Sequence, residues 1–494
     1  MYLIGYDLGS SSIKAALVEV ESGKTLAVEN YPEVEMEIIS HELGWAEQEP
    51  ETWWKNIQKA TEKVLASHPV DTSLIKGIGI SYQMHGLVVV DKDQNVLRPS
   101  IIWCDSRAVE IGNEAYDNIG HHQCLTHLLN SPGNFTASKL KWVKENEPEL
   151  FEKIDKIMLP GDFMAMKMTG EAKTTISGLS EGMMWDFQDE KIADFLLEHY
   201  GVSQTLIPEI VPSVSNQGTL TDAAADFLGL SVGIPVGYRA GDQPNNAMSL
   251  GVLNPGEVAA TGGTSGVVYG VVDKPAIDNK TRVNGFAHVN HDPKDPRIGV
   301  LLCINGSGIQ YSWVKQLAAD EGMDYPDLES QASQVPVGSD GLRIIPFGNG
   351  AERVLENDNP GGHFINIQFN RHKKPHVYRA ALEGIANSFI YGMEIMKDMG
   401  LNVGVMKVGN DNLFQSEIFS TTIASVIGCE IHMVKTTGAV GAAKAAGVAA
   451  GLYGSLEEAF EKMETVKVYK AADDTAPYKS SYETWKKDLE NIIN

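Results

Sequence analysis

The chain has 494 residues, 43% hydrophobic and 21% charged, which is too long for one hydrophobic core and suits two domains of roughly 250 residues. A formal net charge of −25 argues against a nucleic-acid or anionic-membrane partner, since either needs a basic face, and reads most simply as a means of solubility. Cys104, Cys124, Cys303 and Cys429 have neither metal-ligand nor disulfide spacing, so a reducing cytoplasm is the expected compartment. The sequence opens on an apolar run without a charged leader, and no window approaches about 18 uninterrupted apolar residues. Neither a signal peptide nor a membrane span is expected.

In chain order, the first element is a hairpin. Two apolar runs, Tyr2 to Tyr6 and Ile13 to Val20, flank Asp7-Leu8-Gly9-Ser10-Ser11-Ser12. Glycines and serines let a backbone approach an anion and aim N–H groups at it, Asp7 stands where a phosphate-bound Mg²⁺ could be held, and Lys14 adds positive charge. A turn at Glu21 to Lys24 and a strand from Thr25 to Val28 complete a meander. Residues 49–66 have helical spacing at Trp53, Ile57, Ala60 and Val64, and Ile75 to Ser81 is a short strand.

That strand runs into Gln83-Met84-His85-Gly86, whose amide and imidazole suit a ligand bearing several hydroxyls, although from this fragment alone a hydrogen-bonded loop histidine is the better account of His85. In Trp103-Cys104-Asp105-Ser106-Arg107 an aromatic, a carboxylate and a guanidinium fall within five residues. Sugar sites combine such groups, and so does an Asp–Arg pair that caps a helix. Residues 134–146 have helix spacing with Trp142 expected in the core, and Leu159-Pro160-Gly161-Asp162 starts a further turn and helix. A strand from Ile234 ends on Gly241-Asp242-Gln243, with a helix expected from Asn245, and strand ends of α/β sheets are where ligands bind.

Pro255 and Gly256 mark a boundary near residue 250, which gives domains 1–250 and 251–494. The second opens like the first: Val258 to Thr261, the turn Gly262-Gly263-Thr264-Ser265, then Gly266 to Tyr269. Two such hairpins suggest related domains facing one nucleotide. Val405 to Val408 and Glu430 to Val434 read as strands around a helix from Ser416. Gly438-Ala439-Val440-Gly441-Ala442-Ala443 opens a small-residue helix, either tightly packed or forming a wall of a nucleotide cleft.

Over nearly its full length the chain resembles the FGGY carbohydrate kinases of the actin/hexokinase/Hsp70 (ribonuclease H-like) fold, and is most similar to members that phosphorylate xylulose. Residues 7–14 and 261–265 resemble that family's two phosphate loops, Gln83 to Gly86 its ketose-holding turn, Trp103 to Arg107 its Trp-Asn-Asp-x-Arg segment, and Gly241-Asp242 its catalytic segment. Glu352-Arg353 is similar to its Gly-Glu-Arg element. Two longer signatures are nearly matched, over 134–146 and 362–383, with Asn134 and Asn366 as departures. Val408-Gly409-Asn410-Asp411-Asn412 replaces the common Gly-Gly-Gly motif of the adenosine loop.

The resemblance implies an α/β fold of two such domains around a central cleft, ATP and Mg²⁺, and transfer of the γ-phosphoryl group to the terminal hydroxyl of a ketopentose. It implies Asp242 as catalytic base, Gln83, Met84, His85, Trp103, Asp105 and Gln243 around the sugar, and Asp7 with Asp242 near the metal. Gly9, Ser10, Ser11, Ser12, Lys14, Gly262, Gly263, Thr264, Ser265, Gly409, Asn410, Asn412, Gly438 and Ala439 would hold the nucleotide. Ribulose, gluconate or a longer ketose is the alternative acceptor, and a non-catalytic nucleotide- or sugar-binding protein the alternative class. A homodimer is compatible with all of these.

Overall fold

The computed structural model describes residues 1–410 and 412–493; Asp411 of the adenosine-side loop lies outside them. The N-terminal half is built on one five-stranded sheet. Its strands are β1 (Tyr2–Leu8), β2 (Ile13–Glu19), β3 (Thr25–Tyr31), β4 (Ile75–Tyr82) and β5 (Val236–Gly241), in the order β5-β4-β1-β2-β3. The β1–β2 and β2–β3 pairs are antiparallel, as hairpins must be, whereas β4 and β5 return parallel after long crossovers.

The second half repeats the plan. Strands β6 (Glu257–Gly262), β7 (Gly266–Val272), β8 (Asn284–Ala287), β9 (Ile298–Ile304), β10 (Val405–Gly409), β11 (Glu430–Val434) and β12 (Thr465–Tyr469) form a sheet of order β8-β9-β7-β6-β10-β11-β12. The central five, β9-β7-β6-β10-β11, reproduce the first sheet's sequence of two antiparallel pairings followed by two parallel ones. The two Gly/Ser/Thr turns therefore occupy equivalent places in two sheets.

Helix α1 (Pro50–Ser67) forms where its apolar spacing predicts and packs on β2 and β3, burying Trp53, Ile57, Ala60 and Val64 in the core that also holds Ile4, Tyr6 and Leu8 of β1. Three further helices bear on the cleft: α2 (Thr136–Asn146), α3 (Ile176–Glu181) and α4 (Asp242–Ser249). Helix α4 begins at Asp242, not at Asn245: Gly241 at its N-cap is extended, so the helix starts as soon as β5 ends, with the carboxylate of Asp242 in its first turn. Trp142 is only partly buried; it sits edge-on to Trp45 at 5.2 Å, with the Arg107 guanidinium 4.7 Å from its ring.

The closest joint between the halves is α8 (Gly438–Ala449), which leaves β11 of the second sheet and lies across the first. Three strands of that sheet offer glycines to it, and a Cβ on Gly5 or Gly79 would fall 1.9 Å from the carbonyl oxygens of Ala439 and Ala442. Packing of this small-residue face also buries Leu3, Ala16 and Val18. Three more helices, α5 (Gly308–Ala318), α6 (Lys374–Asp398) and α7 (Glu417–Ile427), flank the second sheet. Among the described residues the four cysteines are unpaired, and no helix is long and apolar enough to cross a membrane.

Candidate active site

Strand register brings the site together. Leu8, Tyr82 and Gly241 are neighbours across β1, β4 and β5, so the turn after Leu8, the turn after Tyr82 and Asp242 all emerge at one carboxyl edge. In the second sheet, Gly262 and the parallel neighbours Gly409 and Val434 end β6, β10 and β11 in the same manner. This is where an α/β sheet places its ligands. A cavity of about 270 Å³ between the edges is lined by Asp7, Lys14, Gln243, Asn246, Thr261, Gly409, Asn412, Thr437 and Gly438, among others.

Asp7 accepts a hydrogen bond from Ser81 Oγ at 2.9 Å and pairs across the hairpin with Lys14. Burial raises its pKa, with Ser81 and Lys14 opposing. A Cβ on Gly438 would stand 2.7 Å from Asp7 Oδ2 and 2.9 Å from Asn246 Oδ1, so only glycine leaves this corner open. Asp242, at the head of α4, is pushed up to about 7, by burial first and by the negative charge of Asp7 second. A carboxylate poised near neutrality is suited to accept a proton. Among the described residues no three His, Cys, Asp or Glu side chains are grouped to hold a metal. A Mg²⁺ carried in on phosphates needs only one or two carboxylates, and Asp7 and Asp242 fit that requirement.

The two Gly/Ser/Thr turns differ in how free they are. In the first, the Gly9 amide already donates to Ser12 O, Ser10 O accepts from Gln48 Nε2 at 2.7 Å, and Ser11 O accepts from the Met36 amide. In the second, Gly263, Thr264 and Ser265 are exposed, while the amides of Gly308 and Ile309 at the head of α5 donate to the carbonyls of Gly263 and Thr264. Gly262 is buried against Leu413. Of the residues expected around adenosine, Gly409 and Asn412 face the cavity. Asn412 caps the short turn Leu413–Gln415, and Asn410 O accepts from Gln415 Nε2. Gly438 lines the cavity, but Ala439 is fully buried against Gly5.

Among the residues expected around a sugar, Met84 is buried against Gly241 and Trp103 is 53% exposed, with its indole N–H 3.5 Å from Ser10 Oγ. Gln83 is buried; its amide donates to Gln48 Oε1 and its own Oε1 has no partner among the described residues. Asp105 lies beneath the surface with its carboxylate fully engaged by the Ala46 amide and by the Arg107 amide and guanidinium. The Asp–Arg pair forms but caps no helix, since the helix over Val109–Ile119 has Ala108 at its N-cap without a side-chain cap bond; the pair instead anchors the loop that carries Trp103. Arg107 in turn meets Glu47 at 2.7 Å and stacks 3.9 Å from the Trp45 ring.

Three contributors escape sequence reading. Lys139 is buried and pushed down to about 7, mainly by burial, and donates to the carbonyls of His85 and Ile102. Glu181, buried and raised by burial, holds His85. Phe286 of β8, from the second half, tilts against the His85 ring at 5.7 Å, while Phe135 meets it edge-on at 4.7 Å. Arg353 braces this wall by donating to Asn284 on the same strand. Lys139 alone had a signal, its place in the signature over 134–146. The other two come from segments with no pattern of their own.

The FGGY family of carbohydrate kinases matches in both of its parts, the N-terminal domain over residues 2–249 and the C-terminal domain over residues 258–450. The chain is 30% identical to the xylulose kinase of Bacillus subtilis, over 98% of this chain and 96% of that one. In structure it is similar to the xylulose kinase of Rhodospirillum rubrum (TM-score 0.89, 24% identity, 100% of this chain and 99% of that one). It is also similar to the gluconate kinase of Lactobacillus acidophilus (TM-score 0.87, 22% identity, 100% and 98%).

Proposed function

The chain belongs to the FGGY family of carbohydrate kinases, and from that membership and the chemistry of the cleft we propose that it transfers the γ-phosphoryl group of ATP to the terminal hydroxyl of a ketopentose, D-xylulose before other sugars. The observation that carries this reading is the carboxylate of Asp242, raised to about 7, at the same carboxyl edge of the sheet as the turns that follow Leu8 and Tyr82. The curated relative at 30% identity is a xylulose kinase, which favours the ketose over the acid. The unpaired cysteines are in keeping with a reducing cytoplasm, and residue 250 is taken as the boundary between a sugar-binding half and a nucleotide-binding half.

Phosphoryl transfer asks for in-line positioning, charge neutralisation and a proton acceptor, and little covalent chemistry from the protein. Gly262 to Ser265 and the hairpin around Gly9 hold the phosphates, with Lys14 and the open corner at Gly438 beside them. Asp7 and Asp242 are the residues that would hold Mg²⁺, which when bound neutralises phosphate charge. Gln83, Met84, His85 and Trp103 orient the ketose, with Asp105 and Lys139 fixing the loops that carry them. Asp242 accepts the proton of the attacking hydroxyl.

The test is ADP release measured by a coupled assay with D-xylulose, D-ribulose, gluconate and longer ketoses. D-Xylulose is expected to give the highest kcat/KM. A higher value for gluconate would move the assignment within the family, and ADP release indifferent to every sugar would replace a kinase with a slow ATPase.

A further inference from the structure

Glu181, the last residue of α3, is a buried acid that the phosphate-transfer reading leaves unused. It meets the sugar turn at several points. The His85 amide donates to Glu181 Oε2 at 3.1 Å, and His85 Nδ1 lies 2.9 Å from the Glu181 backbone carbonyl oxygen. A Cβ on Gly241 would stand 3.1 and 3.2 Å from the two carboxyl oxygens, so the same side chain packs against the residue before Asp242. Its carboxyl also interacts with the buried Tyr82 hydroxyl.

We propose that Glu181 is a positioning residue for the sugar turn: by gripping His85 through both its carboxyl and its carbonyl, it presents Nε2 of the ring as an acceptor for one hydroxyl of the ketose. A carbonyl oxygen accepts and never donates, so Nδ1 carries the ring proton. Burial, helped by the charge of Lys139, pushes His85 down to about 3. The ring is therefore neutral, and Nε2 keeps its lone pair. No described residue bonds to that nitrogen, and Phe135 and Phe286 pack against the ring.

The backbone needs the same grip. His85 has φ 63, a left-handed conformation that a non-glycine residue keeps only when its surroundings enforce it. The Glu181 carboxyl takes its N–H and Lys139 Nζ, at 2.8 Å, takes its carbonyl. The inference rests on the reading that residues 83–86 hold the sugar, so its test must separate the two.

Glu181→Ala removes the acceptor of the His85 amide, while Glu181→Gln keeps an oxygen there. In the full-length protein the alanine variant should raise the ketose KM about tenfold or more, because a buried donor loses its partner. The ATP KM should stay near the parent's, and glutamine should restore most of the ketose KM. Nitrogen-15 spectra of histidine-labelled parent protein, with His85 assigned through His85→Ala, should show a protonated Nδ1 and a bare Nε2. The opposite tautomer overturns the proposal. So does an alanine variant whose ketose KM stays within about twofold of the parent while His85→Ala raises it. If His85→Ala also leaves the ketose KM unchanged, the sugar-turn reading fails and takes this proposal with it. Should the alanine variant not fold, the tautomer of the parent decides.

Discussion

Asp242 and Asp7 sit close enough to act on one another and are expected to fail in different ways. Asp242→Asn keeps size and hydrogen-bonding capacity but cannot take a proton, so kcat for the ketose should fall by about 10²–10⁴-fold with little change in sugar binding or melting temperature. A loss within about tenfold would remove the general-base role. The pH dependence has a definite sign. The base works when deprotonated and its pKa lies at about 7, so ketose kcat/KM should climb as pH rises through that value and level off above it. The Asn variant should lose this limb. Asp7→Ala acts on the metal side: turnover should drop most at low Mg²⁺, while calorimetric titration of the ketose without nucleotide stays close to the parent. An equal loss of sugar binding would make Asp7 structural, through its bond with Ser81.

Elements were legible in the sequence where local chemistry dictates them and obscure where distant packing does. The two hairpins announce themselves because a short turn between two apolar runs favours Gly, Ser or Thr, and α1 because Trp53, Ile57, Ala60 and Val64 share one helical face. The start of α4 at Asp242 was missed because only the abrupt end of β5 reveals it. Glu181 and Phe286 were missed for a stronger reason: they reach His85 from about 100 and 200 residues away, and no spacing records such a meeting. Helix α8 shows both sides. Its small residues foretell close approach, but the surface it approaches is set by Gly5 and Gly79 in another part of the chain. Gly79→Ala tests that joint. Its methyl would lie 1.9 Å from the backbone of Ala442, which cannot swing aside as a side chain can, so the cost should be about 1–3 kcal/mol in chemical unfolding. Because α8 carries Gly438 at its head beside Asp7, the ATP KM should rise more than the ketose KM. Unchanged stability would mean that α8 does not press on the sheet as described.

At the scale of the whole molecule, the charge of −25 sets a problem that the local site must overcome. Both MgATP and the protein are negative, so the long-range field opposes their encounter, and on the proposed reading attraction comes from groups at the turns, such as Lys14 and the backbone amides of Gly263 to Ser265. Salt discriminates between the two contributions. The Debye length falls from about 30 Å at 0.01 M to about 8 Å at 0.15 M, a change that screens distant acidic residues strongly and contacts within the cleft weakly. The ketose carries no charge and gives an internal control. Raising ionic strength over that range with a weakly binding salt, at fixed free Mg²⁺, should therefore lower the ATP KM by a few-fold, on the order of what steering contributes for a modestly charged ligand, and leave the ketose KM unchanged. If the ATP KM rises instead, attraction by the cleft's own cationic groups governs the encounter despite the acidic surface. In that case Lys14→Gln should abolish the salt effect, whereas in the repulsion-dominated case the same substitution raises the ATP KM at every salt concentration and preserves the downward trend.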